Sequence, residues 1–331
     1  MPIALITPAS FVNQPGEQVD VLTNAGFEVI FPDDPSFTTG RPAAETIAQL
    51  SRCDAVLAGG EICNSEVLRA LPNLKVIARA GVGYDRIDIS AATENGTVVT
   101  ITPTANHESV AEHAMMLLLA VAKQVLVNDP AVRRGDWPHK QTIPVRGTTV
   151  GIVGLGRIGR SFARRVAAFG VRIVATETHP DEDFVQELGI EIVQLSELLS
   201  RSDFVSLHCP LTDQTNSLIN SDTLSRMKPR SILINTARGG LVDETALEAA
   251  LASGQLRGAG LDCLRKEPAA AGHPLFRFEN VVFTPHIASA DWKSQHDMAV
   301  EAAQCIAQLY QGEWPEAAIV NRELKGWRWD D

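Results

Sequence analysis

An arginine, a histidine and a glutamate stand just after apolar runs in the second half of the chain. Arg238 follows the run 231–235, His286 follows the run 281–283, and Glu267 lies in the loop after the run between them. If these runs are parallel strands, their carboxyl ends meet at one edge of a sheet, which is where open α/β sheets bind ligands. The sequence therefore predicts that the three side chains share a site.

These residue types suit hydride transfer at a carbon that bears oxygen. A neutral imidazole can take a hydroxyl proton as hydride leaves the carbon, and an imidazolium can return it in the reverse direction. We expect His286 to play this role, with Glu267 as the carboxylate that fixes its tautomer. The guanidinium of Arg238 can bind a substrate carboxylate and polarise the reacting oxygen. A 2-hydroxy acid and its 2-oxo acid form the matching substrate pair.

A second histidine leaves an alternative open. The run 204–207 ends at His208-Cys209-Pro210, so His208 could replace His286 as the acid and base, although the following Cys-Pro favours packing against a cofactor. Arg238 could instead be a surface ion-pair partner, and Glu267 an ordinary turn residue.

A glycine motif predicts a dinucleotide site. The segment Gly154-Leu155-Gly156-Arg157-Ile158-Gly159 fits G-x-G-x-x-G, follows the apolar strand 150–153 and precedes a predicted helix over 161–169. In this motif the first glycine permits a tight turn, the second lets the backbone approach a pyrophosphate, and the third allows close helix packing. The helix N-terminus then offers N–H groups to the pyrophosphate.

An acidic residue after the next strand indicates the kind of dinucleotide. Glu177 follows the run 172–175, at a distance from the motif that suits a bond to the ribose hydroxyls. Its carboxylate would repel a 2′-phosphate, and no Arg or Lys stands among the next four residues, so NAD is favoured over NADP. A protonated His179 could still tolerate a phosphate, and Glu177 could be a solvated acid at a strand end.

The elements that position these residues form two series of short strands alternating with helices, the pattern of parallel sheets with crossover helices. The strands are predicted at 3–7, 28–31, 55–58, 75–79 and 97–100, and then at 149–153, 172–175, 190–193, 204–207, 231–235, 258–262 and 281–283. A buried helix over 109–127 is expected between the series, because Ser109 and Glu112 have capping-box spacing and the segment is apolar on most faces. A further helix is predicted over 291–311.

Composition narrows the class of protein. The 331 residues correspond to about two domains. The net charge of −11 opposes binding to nucleic acid or to anionic membranes. The apolar run 114–122 is too short to span a bilayer, and the N-terminus lacks the basic leader of a signal peptide. The five cysteines are scattered without metal-ligand spacing, so we expect reduced thiols, no metal and a cytoplasmic location.

These motifs together resemble the D-isomer-specific 2-hydroxyacid dehydrogenases, the family of D-lactate, D-glycerate (hydroxypyruvate) and D-3-phosphoglycerate dehydrogenases. The matching segments are distributed along most of the chain. They lie at 79–85, 102–112, 151–159, 208–212, 235–243, 260–268 and 284–288.

The resemblance implies a fold and an organisation. We expect an α/β protein with two doubly wound parallel-sheet domains, in which a Rossmann NAD-binding domain, residues 102–289, is inserted in a flavodoxin-like substrate domain, residues 1–101 plus 290–331. Active members of the family are typically homodimers that close a cleft between their domains.

The resemblance also assigns roles. Arg238, Glu267 and His286 match the family's catalytic residues, and Gly81-Val82 match the loop whose backbone N–H groups bind the substrate carboxylate. The residues expected to bind NAD are Gly154, Gly156, Arg157, Ile158, Gly159, Glu177, His208, Cys209, Pro210, Thr236, Ala237 and Asp262.

Departures from the family pattern narrow the substrate. Phosphoglycerate dehydrogenases usually carry an Arg-Ser pair after the third strand, where this chain has Ala58-Gly59-Gly60-Glu61. The glycines predict space near the carboxylate site and a small unphosphorylated acid such as hydroxypyruvate or glyoxylate. Glu267 stands where formate dehydrogenases of this fold have Gln, which argues against formate.

Two alternatives remain open. Residues 84–86 and 320–322 resemble the phosphoglycerate branch, so phosphoglycerate dehydrogenase is one, although the chain offers no room for an extra regulatory domain. The other is an NAD(H)-sensing regulatory protein resembling the C-terminal-binding corepressors, which retain the same three residues.

Overall fold

The computed structural model describes residues 1–12, 16–34 and 41–330. The chain forms two compact units, which we call unit 1 (residues 1–106 and 291–331) and unit 2 (residues 107–290). The sequence placed the domain boundaries after residues 101 and 289, close to these positions.

The elements are numbered in chain order. The strands are β1 (Ile3–Ile6), β2 (Glu28–Ile30), β3 (Ala55–Ala58), β4 (Val76–Arg79), β5 (Val98–Thr100), β6 (Thr149–Val153), β7 (Arg172–Thr176), β8 (Glu191–Ile192), β9 (Phe204–Leu207), β10 (Ser231–Asn235), β11 (Leu256–Leu261) and β12 (Val281–Phe283). The α-helices are α1 (Glu17–Asn24), α2 (Ala43–Leu50), α3 (Ser65–Arg69), α4 (Ile89–Glu94), α5 (His107–Lys123), α6 (Val125–Arg133), α7 (Arg157–Ala167), α8 (Glu182–Leu188), α9 (Leu195–Arg201), α10 (Ser221–Arg226), α11 (Glu244–Ala252) and α12 (Trp292–Tyr310). The predicted strands are confirmed, with bounds that differ by at most one or two residues at an end.

Unit 1 contains a parallel sheet in the order β2-β1-β3-β4-β5. This is the flavodoxin-like order, and the chain changes its direction of progress along the sheet between β1 and β3. Its strands are apolar runs because both faces of a parallel sheet are covered, and every residue of β3 is buried. Helix α12, from the end of the chain, packs on α1, β3 and β4.

Unit 2 contains a parallel sheet in the order β12-β11-β10-β9-β6-β7-β8. Strands β6 to β11 follow the Rossmann order, in which β6 and β9 are neighbours at the topological switch point, and β12 extends one edge. The expected fold class, two doubly wound α/β sheets with a Rossmann unit, is confirmed.

The helix predicted over 109–127 has different ends. It begins at His107, and the hydroxyl of Ser109 does not cap it but donates to the carbonyl oxygen of Ala288 at 2.8 Å. Gln124 has a left-handed backbone (φ 52°), which ends α5 and starts α6. In the described part of the chain no single helix is long and apolar enough to cross a membrane; α5 and α6 reach that length only together and are bent by 59°.

Helix α7 also begins earlier than predicted, at Arg157 instead of residue 161. Gly156 is its N-cap, with an extended backbone. Gly159 therefore lies in the first helical turn, and the glycine motif forms the helix N-terminus itself.

Candidate active site

The glycine loop joins β6 to α7 and leaves free backbone N–H groups. Gly154 has a φ of +94°, and a Cβ there would lie 2.9 Å from the backbone nitrogen of Cys209. A Cβ on Gly159 would lie 2.0 Å from the Gly154 oxygen, whereas nothing lies within 4 Å of a Cβ on Gly156. The amides of Gly156, Arg157 and Ile158 donate to no other group in the described part of the chain. Open space and unpaired donors therefore meet at Gly156, as a pyrophosphate requires.

Glu177 borders this loop at the end of β7. Its Oε2 accepts a hydrogen bond from the Leu155 N–H at 2.7 Å, and its Oε1 accepts from the N–H groups of Thr178 (2.7 Å) and His179 (3.2 Å). Partial burial acts to raise the pKa of Glu177, but these backbone hydrogen bonds hold it below its ordinary value. An anionic carboxylate thus lies beside the glycine loop.

Two polar atoms at neighbouring strand ends have no partner. Nδ1 of His208, after β9, and Oγ1 of Thr236, after β10, are both buried without a hydrogen bond in the described structure. Cys209 and Ala237, next to them, are half-buried, and Pro210 is exposed. Buried polar atoms are normally satisfied, so these positions can accept a polar ligand at the edge that carries the glycine loop.

His208 itself is held as a neutral ring. Its Nε2 lies 2.8 Å from the Ser206 hydroxyl, and its ring centroid lies 5.0 Å from that of Phe162. Burial lowers the pKa of His208 to about 3. The ring therefore stays uncharged at neutral pH, which disfavours His208 as the donor of a proton.

The structure brings Glu267 and His286 together. Glu267 Oε2 lies 2.8 Å from His286 Nδ1, and Glu267 Oε1 accepts from the Leu264 N–H at 3.0 Å. The His286 side chain is 43% exposed and that of Glu267 is 25% exposed. A carboxylate on Nδ1 leaves Nε2 as the imidazole nitrogen for proton exchange with a ligand.

Arg238 lies in a turn that packs against the loop carrying Glu267. Asn235, at the end of β10, holds this turn, because its side chain donates to the Arg238 oxygen (2.9 Å) and accepts from the Ala237 N–H (3.0 Å). Gly239 touches the next loop closely, since a Cβ there would lie 2.0 Å from the Leu264 backbone carbon. The Arg238 side chain is half-buried and donates to the Ala237 oxygen at 2.8 Å.

Asp262 holds the segment that carries His286. Its Oδ1 accepts from the Thr284 hydroxyl (2.5 Å) and the Ile287 N–H (2.9 Å), and its Oδ2 accepts from the Ala288 N–H (3.0 Å). The Asp262 carbonyl oxygen also accepts from the His286 N–H at 2.7 Å, and His286 has a left-handed backbone, φ 55°. Asp262 therefore fixes the backbone from which the imidazole projects.

His113, on α5, completes this network and was not predicted from the sequence. Its Nε2 lies 2.8 Å from Thr284 Oγ1 and 3.4 Å from Asp262 Oδ1. Burial acts to raise the pKa of Asp262, but hydrogen bonds from His113, Thr284, Ile287 and Ala288 hold it below its ordinary value. The sequence signal that could have identified this role is a histidine in a helix that is apolar on most faces.

In unit 1 the segment after β4 contains the two residues predicted to bind a carboxylate. Gly81 has a φ of +135°, and a Cβ there would lie 2.0 Å from an Arg79 guanidinium nitrogen. The Gly81 N–H is already used, because it donates to the Thr102 hydroxyl at 2.7 Å. The Val82 and Gly83 N–H groups donate to no group in the described structure, so the free donors begin at Val82.

These features define a dinucleotide-binding α/β protein with a histidine–carboxylate pair at the ligand edge of its Rossmann sheet. Residues 115–288 match the model of the D-isomer specific 2-hydroxyacid dehydrogenase, NAD binding domain. The chain is 43% identical over 285 residues to a glyoxylate reductase of Korarchaeum cryptofilum, covering 84% of this chain and 86% of that one. It belongs to the D-2-hydroxyacid dehydrogenase family, and the domain that binds NAD lies in unit 2.

Other relatives differ in length. A D-3-phosphoglycerate dehydrogenase of Mycobacterium bovis is 41% identical over 290 residues, which are 85% of this chain and 55% of that protein. The chain thus spans about half the length of this relative. The crystal structure of the TT0316 protein from Thermus thermophilus superposes with a TM-score of 0.84 and 37% identity, covering 96% of this chain and all of that one.

Proposed function

We propose that the chain is an NAD-dependent oxidoreductase that transfers a hydride between NAD(H) and a small D-2-hydroxy acid or its 2-oxo acid. The observation that carries this proposal is the 2.8 Å contact between His286 Nδ1 and Glu267 Oε2, on the Rossmann sheet that also bears the glycine loop. Family membership supports the same reaction class.

The residues of unit 2 fit the dinucleotide. The free N–H groups at Gly156, Arg157 and Ile158 would bind the pyrophosphate, and Glu177 would bind the ribose hydroxyls. The further residues proposed for the cofactor are Gly154, Gly159, His208, Cys209, Pro210, Thr236, Ala237 and Asp262. Of these, His208 and Thr236 offer the unpartnered polar atoms described above. When bound, NADH supplies the hydride.

The chain's own residues handle the proton and the substrate charge. In reduction, the His286 imidazolium gives the Nε2 proton to the carbonyl oxygen as that oxygen gains negative charge, so that a hydroxyl group forms. Glu267 balances the positive charge of the imidazolium and accepts a hydrogen bond from the Nδ1–H group of His286. Arg238 binds the substrate carboxylate and polarises the carbonyl. In unit 1, the role proposed for Gly81 and Val82 is to bind a carboxylate through backbone N–H groups, and the Val82 N–H donates to no group in the described structure.

A substrate panel tests the proposal. Purified protein should oxidise NADH with at least one of glyoxylate, hydroxypyruvate, pyruvate, a bulky 2-oxo acid and 3-phosphohydroxypyruvate. Arg238→Ala should abolish turnover and leave NADH binding, measured by fluorescence, largely intact. The matched control is Arg265→Ala, which should retain turnover. Arg265 is a nearby arginine whose guanidinium donates hydrogen bonds to the Ser217 hydroxyl and the Gly240 oxygen. Tight NADH binding with no turnover on any acid would instead favour the NAD(H)-sensing alternative.

NAD should be preferred over NADP. The Glu177 carboxylate lies beside the glycine loop, and a 2′-phosphate there would meet its negative charge. Glu177→Ala should reduce the ratio of kcat/KM for NADH to that for NADPH by at least about tenfold. An unchanged ratio would show that another group selects the cofactor.

We also propose that the chain forms a homodimer. Val125, Leu126, Val132 and Trp137, on α6 and the segment after it, are 45% to 72% exposed, an apolar set typical of an interface. Light scattering should give twice the monomer mass for the wild type. The double variant Leu126→Asp, Val132→Asp should give a mass closer to that of the monomer.

A cytoplasmic location stays a prediction from the sequence.

A further inference from the structure

The loop that carries Glu267 depends on a small number of contacts for its shape. This segment, residues 262–273, which we call the Glu267 loop, forms no helix or strand in the described structure and lies between β11 and the short 3-10 helix Pro274–Arg277. Within it, the Leu264 N–H donates to Glu267 Oε1 at 3.0 Å. The position of the Glu267 carboxylate therefore depends on how the backbone at residues 264 and 265 is held.

Glu244, the first residue of α11, holds that backbone. Its Oε1 accepts a hydrogen bond from the Arg265 N–H at 2.7 Å, across 21 positions of sequence. Because the donor is a main-chain group, this bond fixes the loop backbone directly, whereas the Arg265 guanidinium reaches Ser217 and Gly240 through a long, exposed side chain. The Glu244 carboxylate is not needed to begin α11, because the side chain of Asp243 caps that helix.

His273, at the far end of the Glu267 loop, contacts the other oxygen of Glu244. Its Nε2 lies 3.3 Å from Glu244 Oε2, and its Nδ1 accepts from the Leu275 N–H at 3.3 Å. Because Nδ1 accepts, the neutral ring carries its hydrogen on Nε2 and donates it to Glu244. The single carboxylate of Glu244 thus ties two points of the Glu267 loop to α11.

We propose that Glu244 is a positioning residue that acts through Glu267. By fixing the loop backbone, it keeps the Glu267 carboxylate 2.8 Å from His286 Nδ1. Both partners of Glu244, Arg265 and His273, lie outside the residues proposed to bind NAD or substrate, so the effect of Glu244 on the reaction runs through the loop. This proposal rests on the proposed function, in which the Glu267–His286 pair handles the proton.

The test measures NADH oxidation by the full chain with the best 2-oxo acid of the substrate panel. Glu244→Ala should lower kcat about tenfold, because the Glu267 carboxylate is no longer held in place. NADH binding, measured by fluorescence, should be retained. Glu244→Gln keeps an oxygen that can accept from the Arg265 N–H, so its kcat should return to within about threefold of the wild type.

The matched control is Glu248→Ala. Glu248 is an acid on the same helix, but its carboxylate pairs with Arg277 at 3.0 Å, beyond the end of the Glu267 loop. This variant should have the kcat of the wild type. Wild-type kcat in Glu244→Ala would overturn the proposal, and so would equal losses in the alanine variants of Glu244 and Glu248.

A double-mutant cycle separates positioning from a general structural role. In a Glu267→Ala background the carboxylate to be positioned is gone, so Glu244→Ala should lower kcat by less than about twofold. The same factor in both backgrounds would show that Glu244 acts independently of Glu267. If Glu244→Ala does not fold, His273→Ala, which removes one of the two loop contacts, takes its place in the cycle with an expected loss of about threefold.

The two proposals fail in different ways. Additive losses in the cycle refute the positioning role, while NADH oxidation by the wild type still supports the proposed function. If no 2-oxo acid oxidises NADH, the proposed function fails, and the positioning role fails with it.

Discussion

His208 and His286 both follow strands of the same sheet, yet their surroundings differ in every respect that matters for proton transfer. The His208 ring lies against Phe162, and burial lowers its pKa to about 3. The His286 side chain is 43% exposed and has a carboxylate 2.8 Å from Nδ1. A position at a strand end therefore identifies candidate residues, whereas the groups around the imidazole determine which proton chemistry it can perform.

Substituting each histidine in turn should separate their roles most clearly. His286→Asn should lower kcat/KM for the best 2-oxo acid by about 10²- to 10⁴-fold, because the proposed general acid and base is lost. His208→Asn should raise the KM for NADH and change kcat by less than about tenfold. Steady-state kinetics on both variants provide the check. A larger loss of kcat in His208→Asn than in His286→Asn would reverse the assignment.

The next effect concerns the carboxylate that distinguishes His286. Glu267→Gln preserves size and can still accept from Nδ1, but it cannot balance the charge of an imidazolium. We expect kcat to fall about 10- to 150-fold, the usual worth of a hydrogen bond to a charged group. NADH binding, measured by fluorescence, serves as the control and should be retained. Wild-type kcat in this variant would mean that the pair is structural.

The burial of His208 also predicts how the stability of the protein depends on pH. The unfolded chain titrates this histidine near about 6.5, whereas the folded pKa is about 3. Between these values only the unfolded chain binds the proton, so the free energy of unfolding falls as the pH drops through this range. His208 should account for about 2 kcal/mol of the loss between pH 8 and pH 5.

His208→Asn should therefore show a correspondingly smaller decrease between the same two pH values. Urea unfolding of cofactor-free protein provides the measurement. Identical decreases in the variant and the wild type would show that the ring is not held neutral by burial.

A weaker effect is predicted for the hydrogen-bond network that supports the segment carrying His286. His113→Gln removes the imidazole that lies 2.8 Å from Thr284 Oγ1. We expect a loss of about 1 kcal/mol, or about fivefold in kcat, because one hydrogen bond to the segment carrying His286 is weakened. Asp222→Asn, an exposed change on α10, is the control for a general effect. A change in the KM for NADH alone would place His113 with the cofactor residues.

The sequence predicted the strands well because parallel strands are buried on both faces and appear as Val- and Ile-rich runs between turn residues. Strands β6, β9, β10 and β12 have the predicted bounds. Helix starts were less accurate. Ser109 has the spacing of a cap, but its hydroxyl bonds to Ala288, a residue 179 positions away, and a local pattern cannot contain such a partner.

The same distinction applies to the candidate site. The glycine motif and the Glu267–His286 pair could be predicted because residue type and strand position limit what they can do. His113 could not, since its role depends on Thr284, 171 positions away. The engagement of the Gly81 N–H by Thr102 likewise depends on tertiary packing. The glycines at 59 and 60 predicted open space, but a Cβ on Gly59 would lie 3.3 Å from Pro8, a contact that the sequence pattern does not contain.

The position of α12 has a consequence for the order in which the protein is made. Unit 2 is one continuous stretch, whereas the sheet of unit 1 is covered by α12, whose buried residues include Ala302, Ile306 and Leu309. About 200 residues must be synthesised after residue 106 before α12 is complete, which takes about 10 to 40 s at ordinary ribosomal rates. During that interval the first five strands have an uncovered apolar surface on the ribosome, where chaperones would bind.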